Sequence, residues 1–400
     1  MEKIKINILP NYFLKEDKTF DLKSALEFCG RIAGVCYDKE GFDHLLKEPI
    51  EKTEKRIENT INNGHHSVYD HVTINFNIKN IPKILAMVIN NEKEYTTSEK
   101  SGRYTNVVGK ENSTITKLEE ELYNKWFQIL KEKIEDSYKD VYSKFKIKTL
   151  AQENARSLVT VFMPTEMIYS TTLRQINYIA SWMREYIEKV KENNSTDFEQ
   201  KLAHSMDDFC KNLEKLNVLD ERLMRNEKHR SLSLFGTGLS KRKEYFGDVY
   251  STTYKGSYAE YAQAQRHRTI DYQLEILDEK EYYIPPIITD DKALTNEWLK
   301  DMEKVKDLYP IGELVLISET GKYEDFILKC KERLCTGAQL EIMEQTKKTL
   351  LKYQKATKDS GSPITKNISN YMRGARCTFK DFKCPMDCKF KEGKLLNRKI

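Results

Sequence analysis

Structure breakers are scarce in this 400-residue chain, which has 9 prolines and 16 glycines. So small a supply excludes collagen-like and low-complexity architectures and leaves room for long helices. No stretch approaches the roughly 20 consecutive apolar residues that cross a bilayer. The opening residues, MEKIKINILPNYFLKEDK, also lack the apolar core of a secretion signal. A cytosolic protein without membrane contact is expected, its 8 cysteines reduced, inert or metal-bound rather than paired. Most of the chain also lacks a surplus of either charge. Its 67 Lys and Arg stand against 62 Asp and Glu, and residues 366–400 hold ten of the basic residues but three of the acidic ones. A nearly neutral body argues against a broad nucleic-acid groove. The basic tail either keeps the chain soluble or binds an anion.

Helical periodicity, by contrast, is abundant. Apolar residues recur at spacings of three and four over residues 118–145, 168–190, 198–216, 324–334 and 339–353, which predicts amphipathic helices there. Strand signals are fewer. In residues 71–78 (HVTINFNI), Val72, Ile74, Phe76 and Ile78 alternate with polar neighbours, as in a half-buried strand. Residues 4–9 and 314–318 are shorter candidates. An α+β, helix-rich fold with small, mostly antiparallel sheets is expected, and the length suits about two domains. Gly, Ser and Asn cluster at 191–197, 230–240 and 355–363, marking breaks. Both halves follow one plan, a short strand region, then a charged segment, then long helices.

Several strings carry chemistry. Gln263-Ala-Gln-Arg266-His267-Arg268 sets two guanidiniums beside an imidazole, a dense donor cluster suited to phosphate, pyrophosphate or an electron-rich ring. The bland alternative is a solvated basic patch. His65-His66-Ser67-Val-Tyr-Asp70-His71 precedes the predicted strand and lacks the spacing of a zinc motif, so a hydrogen-bonded loop is expected rather than a metal site. In Ser98-Glu99-Lys-Ser101-Gly102-Arg103-Tyr104-Thr105, a hydroxyl, a glycine and an arginine form either a phosphate cradle or an ordinary turn. Arg174 is the one basic residue of a segment otherwise apolar and hydroxyl-bearing, and needs a phosphate or a carboxylate as partner. Cys377, Cys384 and Cys388 fall within twelve residues and are candidates for Zn or an iron–sulfur centre, or else free thiols.

Taken together, these strings resemble the flavin-dependent thymidylate synthases. His66, Ser67, Asp70 and His71 are similar to that family's His-x-Ser-x-x-Glu-His loop, with Asp for Glu. Ser101, Arg103 and Tyr104 match its Ser-x-Arg-Tyr segment, and residues 33–37 (AGVCY) its first helix. Residues 153–156 and Leu173-Arg174 stand where the family has its Ala-Arg and Asn-Ala-Arg elements. The first half has Asn91, Glu92 and Lys93 where Arg-His-Arg is expected, whereas Gln263 and Arg266-His267-Arg268 in the second half match Gln-x-x-Arg-His-Arg. Residues 333–342 (RLCTGAQLEI) resemble the family's Arg-Leu-Cys-x-x-Ala-Gln-x-Glu-Ile helix, and residues 374–388 its cysteine-bearing ending. The second half has Ile276, Leu277 and Asp278 in place of Ser-x-Arg-Tyr.

The resemblance implies two tandem units, each degenerate where the other is intact. The first spans residues 1–220, the second 221–376, followed by a basic cysteine-bearing tail, 377–400. It further implies reductive methylation of dUMP to dTMP with FAD, NADPH and methylenetetrahydrofolate, in a homodimer that mimics a tetramer of single units. No protein nucleophile is expected. His66, Ser67, Arg266, His267 and Arg268 would hold the flavin; Glu99, Ser101, Gly102, Arg103, Tyr104, Arg174 and Gln263 would hold the nucleotide. Two departures leave alternatives open. The family's uracil-polarising arginine falls on Leu351, with Lys352 beside it, and Asp271 replaces a serine. A flavoprotein that modifies another pyrimidine nucleotide, for example by hydroxymethylation, or a non-catalytic nucleotide-binding paralogue would also carry these motifs.

Overall fold

A computed structural model describes residues 2–103, 105, 108–109, 114–225, 230–384, 388 and 394–400. In chain order its elements are β1 (Lys5–Ile8), α1 (Leu22–Ile32), α2 (Phe42–Leu45), α3 (Ile50–Asn62), β2 (Thr73–Pro82), α4 (Lys83–Ile89), β3 (Thr96–Glu99), α5 (Lys117–Tyr138), α6 (Lys144–Ala155), β4 (Pro164–Thr172) and α7 (Leu173–Glu192). There follow α8 (Asp197–Lys215), α9 (Glu221–Met224), β5 (Tyr245–Phe246), β6 (Val249–Ser257), α10 (Tyr258–Ala264), β7 (Asp271–Ile276), α11 (Lys292–Lys304), β8 (Leu314–Lys322), α12 (Tyr323–Arg333), α13 (Leu340–Asp359) and α14 (Ile364–Ile368). The fold is α+β, as its periodicity predicts. The chain forms two compact units, residues 1–100 with 164–233, and residues 101–163 with 234–400.

The first unit is built on an antiparallel sheet in the order β1-β2-β4-β3. The alternation in residues 71–78 buries Ile74, Phe76 and Ile78 on one face of β2. Residues 168–190 depart from the helix that their spacing predicts. Their first five residues continue β4, because Met167, Tyr169 and Thr171 are buried in alternation with half-exposed neighbours. The helix begins only where the Thr172 hydroxyl accepts a hydrogen bond from the Gln175 amide and caps α7.

The second unit carries a sheet with the corresponding order, β5-β6-β8-β7, also antiparallel. In both sheets the two central strands run directly into helices: β2 into α4, β4 into α7, β6 into α10 and β8 into α12. The inner face of the second sheet presents Tyr250, Tyr254, Tyr272, Leu274, Ile317 and Glu319, all buried. Glu319 is paired with Lys329 of α12, both side chains at most 1% exposed, and accepts the Tyr250 and Tyr254 hydroxyls at 3.3 Å.

The single predicted helix over 118–145 is two. α5 starts at a Thr116–Glu119 capping box and ends at Tyr138; Ser143 then caps α6. Both belong to the second unit, where Trp126 meets Trp298 of α11 edge to face, centroids 4.9 Å apart. Buried Asp301 accepts from Trp126 Nε1 at 2.9 Å and Lys125 Nζ at 2.5 Å. Beyond α6, the Val161 amide donates to Tyr309, and the Ile311 and Gly312 amides donate to Val159 and Ser157. A Cβ on Gly312 would lie 2.6 Å from Ser157 Cβ, so only glycine lets these backbones approach. This pairing fixes the end of α6 beside the second sheet.

Candidate functional site

The site is assembled within the second unit from four short pieces of chain. The first is the end of α10. Ser257 caps this helix by accepting from the Glu260 amide at 3.0 Å, and all seven of its residues are buried. The chain turns out of the helix at Gln265, leaving His267 buried and Arg266 and Arg268 exposed. His267 Nε2 accepts from Arg333 Nε at 2.7 Å, which places the ring proton on Nδ1. Burial, with the Arg333 and Lys329 charges adding to it, pushes the imidazole pKa down to about 2, so the ring is neutral.

The second piece runs from the end of α12 into α13. Arg333 Nη2 also donates to the Gln263 carbonyl at 3.3 Å. Gln263 and Gln339, both buried, exchange two hydrogen bonds at 3.4 Å, and Gln339 Oε1 accepts from Arg156 Nη2 at 3.5 Å. These contacts lie at the long edge of hydrogen bonding, so the amides are placed but weakly engaged. Glu341, in the first turn of α13, accepts from the Ser257 amide at 2.8 Å and the Ser257 hydroxyl at 2.5 Å. Burial outweighs these bonds and raises its carboxyl to about 7.

The third piece is the turn at 101–105. The Thr105 amide and hydroxyl donate to the Ser101 carbonyl at 3.1 and 2.9 Å, and the Arg103 amide donates to Ser101 Oγ at 3.4 Å. The Arg103 side chain is 12% exposed, pairs with Glu153, and donates to the Gly337 carbonyl at 3.1 Å. Tyr104 lies outside the described residues.

The fourth is the end of α6, which supplies Glu153 and Arg156. Arg156 is 4% exposed, with Nε bonded to the Glu153 carbonyl at 3.2 Å. Burial, joined by the Arg103 and Arg266 charges and opposed by Glu153, lowers its guanidinium to about 10. Burial likewise lowers Arg333, with Glu332 opposing and Arg266 and Arg103 contributing. Arg103 and Arg266 therefore act on the same two guanidiniums, and the 101–103 turn and the Arg-His-Arg triplet share one electrostatic neighbourhood. Four arginines meet there. Glu153 is committed to Arg103, Glu332 pairs with Arg333 at 3.5 Å, and Glu341 is only half-ionised near neutral pH. The arrangement has room for anionic charge and for ring stacking on exposed guanidiniums.

The other predicted residues belong to the first unit. His66 is buried in the 3-10 turn His66–His71, its ring bonded to Tyr178 Oη at 2.9 Å and the Ile61 carbonyl at 3.0 Å. Burial lowers its pKa. This is the hydrogen-bonded loop expected from the sequence; Ser67 is exposed on it. Arg174 finds a carboxylate partner in Asp70, with Nη2 to Oδ2 at 2.5 Å. Glu99 is paired with Lys83. Glu92 stands nine residues past the start of α4, as His267 stands past the start of α10. It accepts from the Ser233 amide at 2.6 Å and pairs with Arg230 at 2.7 Å.

Among the described residues no group of three or more His, Cys, Asp or Glu, Cys377, Cys384 and Cys388 included, is placed to hold a metal ion. No described helix is long and apolar enough to cross a membrane.

Arg333, Gln339 and Glu341 were visible only as parts of a motif, without assigned roles. Glu153 and Arg156 had a local signal: two opposite charges three residues apart in the apolar run LAQENARSLVTVF.

Among curated proteins no match is found. Residues 21–217 match the family model described as thymidylate synthase complementing protein. That span runs from α1 through α8 and includes Ser101–Arg103, Glu153 and Arg156. The Arg-His-Arg triplet lies beyond it. The family model that matches residues 21–217 is that of the flavin-dependent group which the chain's motifs resemble.

Proposed function

We propose that this protein is a flavin-dependent thymidylate synthase that methylates dUMP reductively, using methylenetetrahydrofolate and NADPH, at one composite site in the second unit. The observation that carries this reading is the surplus of buried positive charge around Arg103, Arg156 and Arg333, beside two weakly engaged buried amides. Unpaired buried charge costs several kcal/mol, roughly 3–5 when one partner is missing, and a bound phosphate offsets it. Ser101, Gly102 and Arg103 hold the nucleotide phosphate. Gln263 and Gln339 present both a donor and an acceptor to the polar edge of the pyrimidine.

FAD fits the remaining groups. Arg266 and Arg268 are exposed on either side of neutral His267, and Gln265 Oε1 is buried without a partner among the described residues. Such a set suits a ring system carrying a diphosphate. When bound, FAD supplies the redox and one-carbon transfer chemistry, so no protein nucleophile is needed. The chain's own residues bind, orient and exclude water. His267 keeps its proton on Nδ1 because Arg333 occupies Nε2, and Glu341 is the buried group able to exchange a proton near neutral pH.

The matched strand orders of the two sheets support descent from two tandem copies. The Glu92–Arg230–Ser233 contacts support decay of the first copy's counterpart of the triplet, since the chain's own residues occupy it. A homodimer of this chain would then stand for four single units, in the cytosol where folate and NADPH are found.

Leu351 favours a second reading. It is 48% exposed on α13 at the position of the family's uracil-polarising arginine, which suits another pyrimidine nucleotide as substrate. Complementation of a thymidine auxotroph, with assay of dTMP formation by purified protein, tests the reading. Growth and dTMP are expected. A soluble, flavin-loaded protein that binds dUMP but makes no dTMP assigns the site to different pyrimidine chemistry.

A further inference from the structure

Arg333 serves two groups at the end of α10. Its Nε donates to His267 Nε2 at 2.7 Å and its Nη2 to the Gln263 carbonyl at 3.3 Å. A guanidinium is a donor only and keeps its protons in folded proteins. Nε2 is therefore the bare nitrogen of the ring wherever this contact persists. A proton on Nε2 would set two donors 2.7 Å apart and bring two like charges together. The ring can gain that proton only if Arg333 withdraws, and the Gln263 bond is then lost with it. The surroundings oppose withdrawal. The Arg333 side chain is 13% exposed and pairs with Glu332 at 3.5 Å. Lys329, one turn earlier on α12, is the second charge acting on the ring. Its ammonium pairs with Glu319 of β8 and lies 5.6 Å from the Tyr272 ring of β7. Among the described residues both charges facing His267 are thus cationic, and the Glu319 carboxylate is committed to Lys329. His267 is 7% exposed, and its Nδ1 takes no partner among the described residues.

We propose that Arg333 is a positioning residue: by occupying Nε2 it fixes His267 as a neutral Nδ1–H donor, which selects a hydrogen-bond acceptor of the flavin nucleotide rather than pairing with its charge. This rests on the flavin role proposed for the Arg-His-Arg triplet. The triplet is then not a row of three cations. Arg266 and Arg268 supply the charge, and His267 between them supplies one oriented neutral donor. An imidazole left to itself titrates at about 6.5 and exchanges its proton between two nitrogens. Under Arg333 it does neither, so the contribution of His267 to flavin binding stays constant through the range in which a free ring changes charge. The same guanidinium ties the ring to the Gln263 carbonyl, so the donor is aimed by the helix end from which the triplet leaves.

Long-range proton–nitrogen NMR of the full chain, labelled with nitrogen-15 at its 7 histidines and recorded from about pH 5 to 8, tests this, with His267→Gln to assign the ring. The unsubstituted protein is expected to show a protonated Nδ1 and a bare Nε2 throughout. Arg333→Leu should give a ring that titrates or populates both tautomers, and Arg333→Lys, which keeps a cationic donor, should restore the original signature. FAD titration followed by flavin fluorescence supplies the second readout. Arg333→Leu should weaken FAD by roughly three- to ten-fold, the scale of one lost neutral hydrogen bond, and give its affinity a pH dependence that the unsubstituted protein lacks. A ring protonated on Nε2, or one that titrates within this range in the unsubstituted protein, overturns the proposal even if Arg333→Leu fails to fold. An Arg333→Leu ring identical to the original overturns it as well. A fixed Nδ1–H tautomer in a protein that binds no FAD would uphold the action of Arg333 on His267 and remove the flavin as its ligand.

Discussion

Replacing Lys329 with Met removes the cation from the centre of the second unit and leaves Glu319 among Tyr250, Tyr254 and Tyr272 with its charge uncompensated. Both partners are at most 1% exposed, so the cost belongs to the buried class, about 3–5 kcal/mol, rather than to the fraction of a kcal/mol of a surface pair. The first sheet offers the apolar solution at the corresponding places. Tyr169 stands four residues before α7, as Glu319 stands four before α12, and Ile179 takes the place of Lys329; both are fully buried. The double variant Glu319→Gln, Lys329→Met removes both charges and should recover about 2 kcal/mol or more of the loss. The assay is urea unfolding of both single variants and the double, followed by tryptophan fluorescence from Trp126 and Trp298. A double variant as unstable as the sum of the two singles would refute the claim that the residues act as a pair.

Glu341, raised from 4.5 to about 7 by burial, keeps its proton in the folded state while the unfolded chain has lost it. Its contribution is thus present below about pH 4.5 and lost as pH rises through about 7, an effect on the order of 3 kcal/mol. Glu341→Gln should flatten the fall in stability between pH 5 and 7, as followed by thermal unfolding across that range; an unchanged slope contradicts the assignment. Arg103→Ala should weaken dUMP binding by about 2–3 kcal/mol, the scale of a lost charge-assisted bond, with affinity measured by calorimetry. Gly312→Ala places a methyl 2.6 Å from Ser157 Cβ and should cost about 1–3 kcal/mol through overpacking, as a lowered denaturation midpoint.

What was legible in the sequence was local. The alternation at Val72–Ile78 specified β2, because a sheet with one buried face needs a period of two. The Arg-His-Arg triplet and Ser101-Gly-Arg stood out by composition. Arg174 was recognised as needing an anion, and the structure supplies Asp70 from a string already singled out for its histidines. What stayed hidden depends on distant partners. Residues 168–172 mix hydroxyls with apolar residues in a run that fits helix or strand, and only pairing with β2 and β3 decides for the strand. Nor does any local pattern reveal that residues 101–163 leave the first unit for the second, bringing Glu153 and Arg156 to the triplet. That follows from glycine-permitted backbone pairing at Ser157–Gly312 and from the Trp126–Trp298 contact, both between residues more than 150 positions apart.

The central claim is that Arg266 with its neighbours holds a flavin at the nucleotide site of the second unit. Arg266 is exposed and supports no part of the core, so Arg266→Ala should fold as the parent does. The visible absorbance spectrum of the purified protein, reconstituted with FAD and titrated with dUMP, tests the claim most directly. A bound-flavin spectrum that dUMP perturbs, and that Arg266→Ala loses, is the predicted result. A folded parent protein that retains no FAD, or a flavin spectrum indifferent to both dUMP and the substitution, would contradict it.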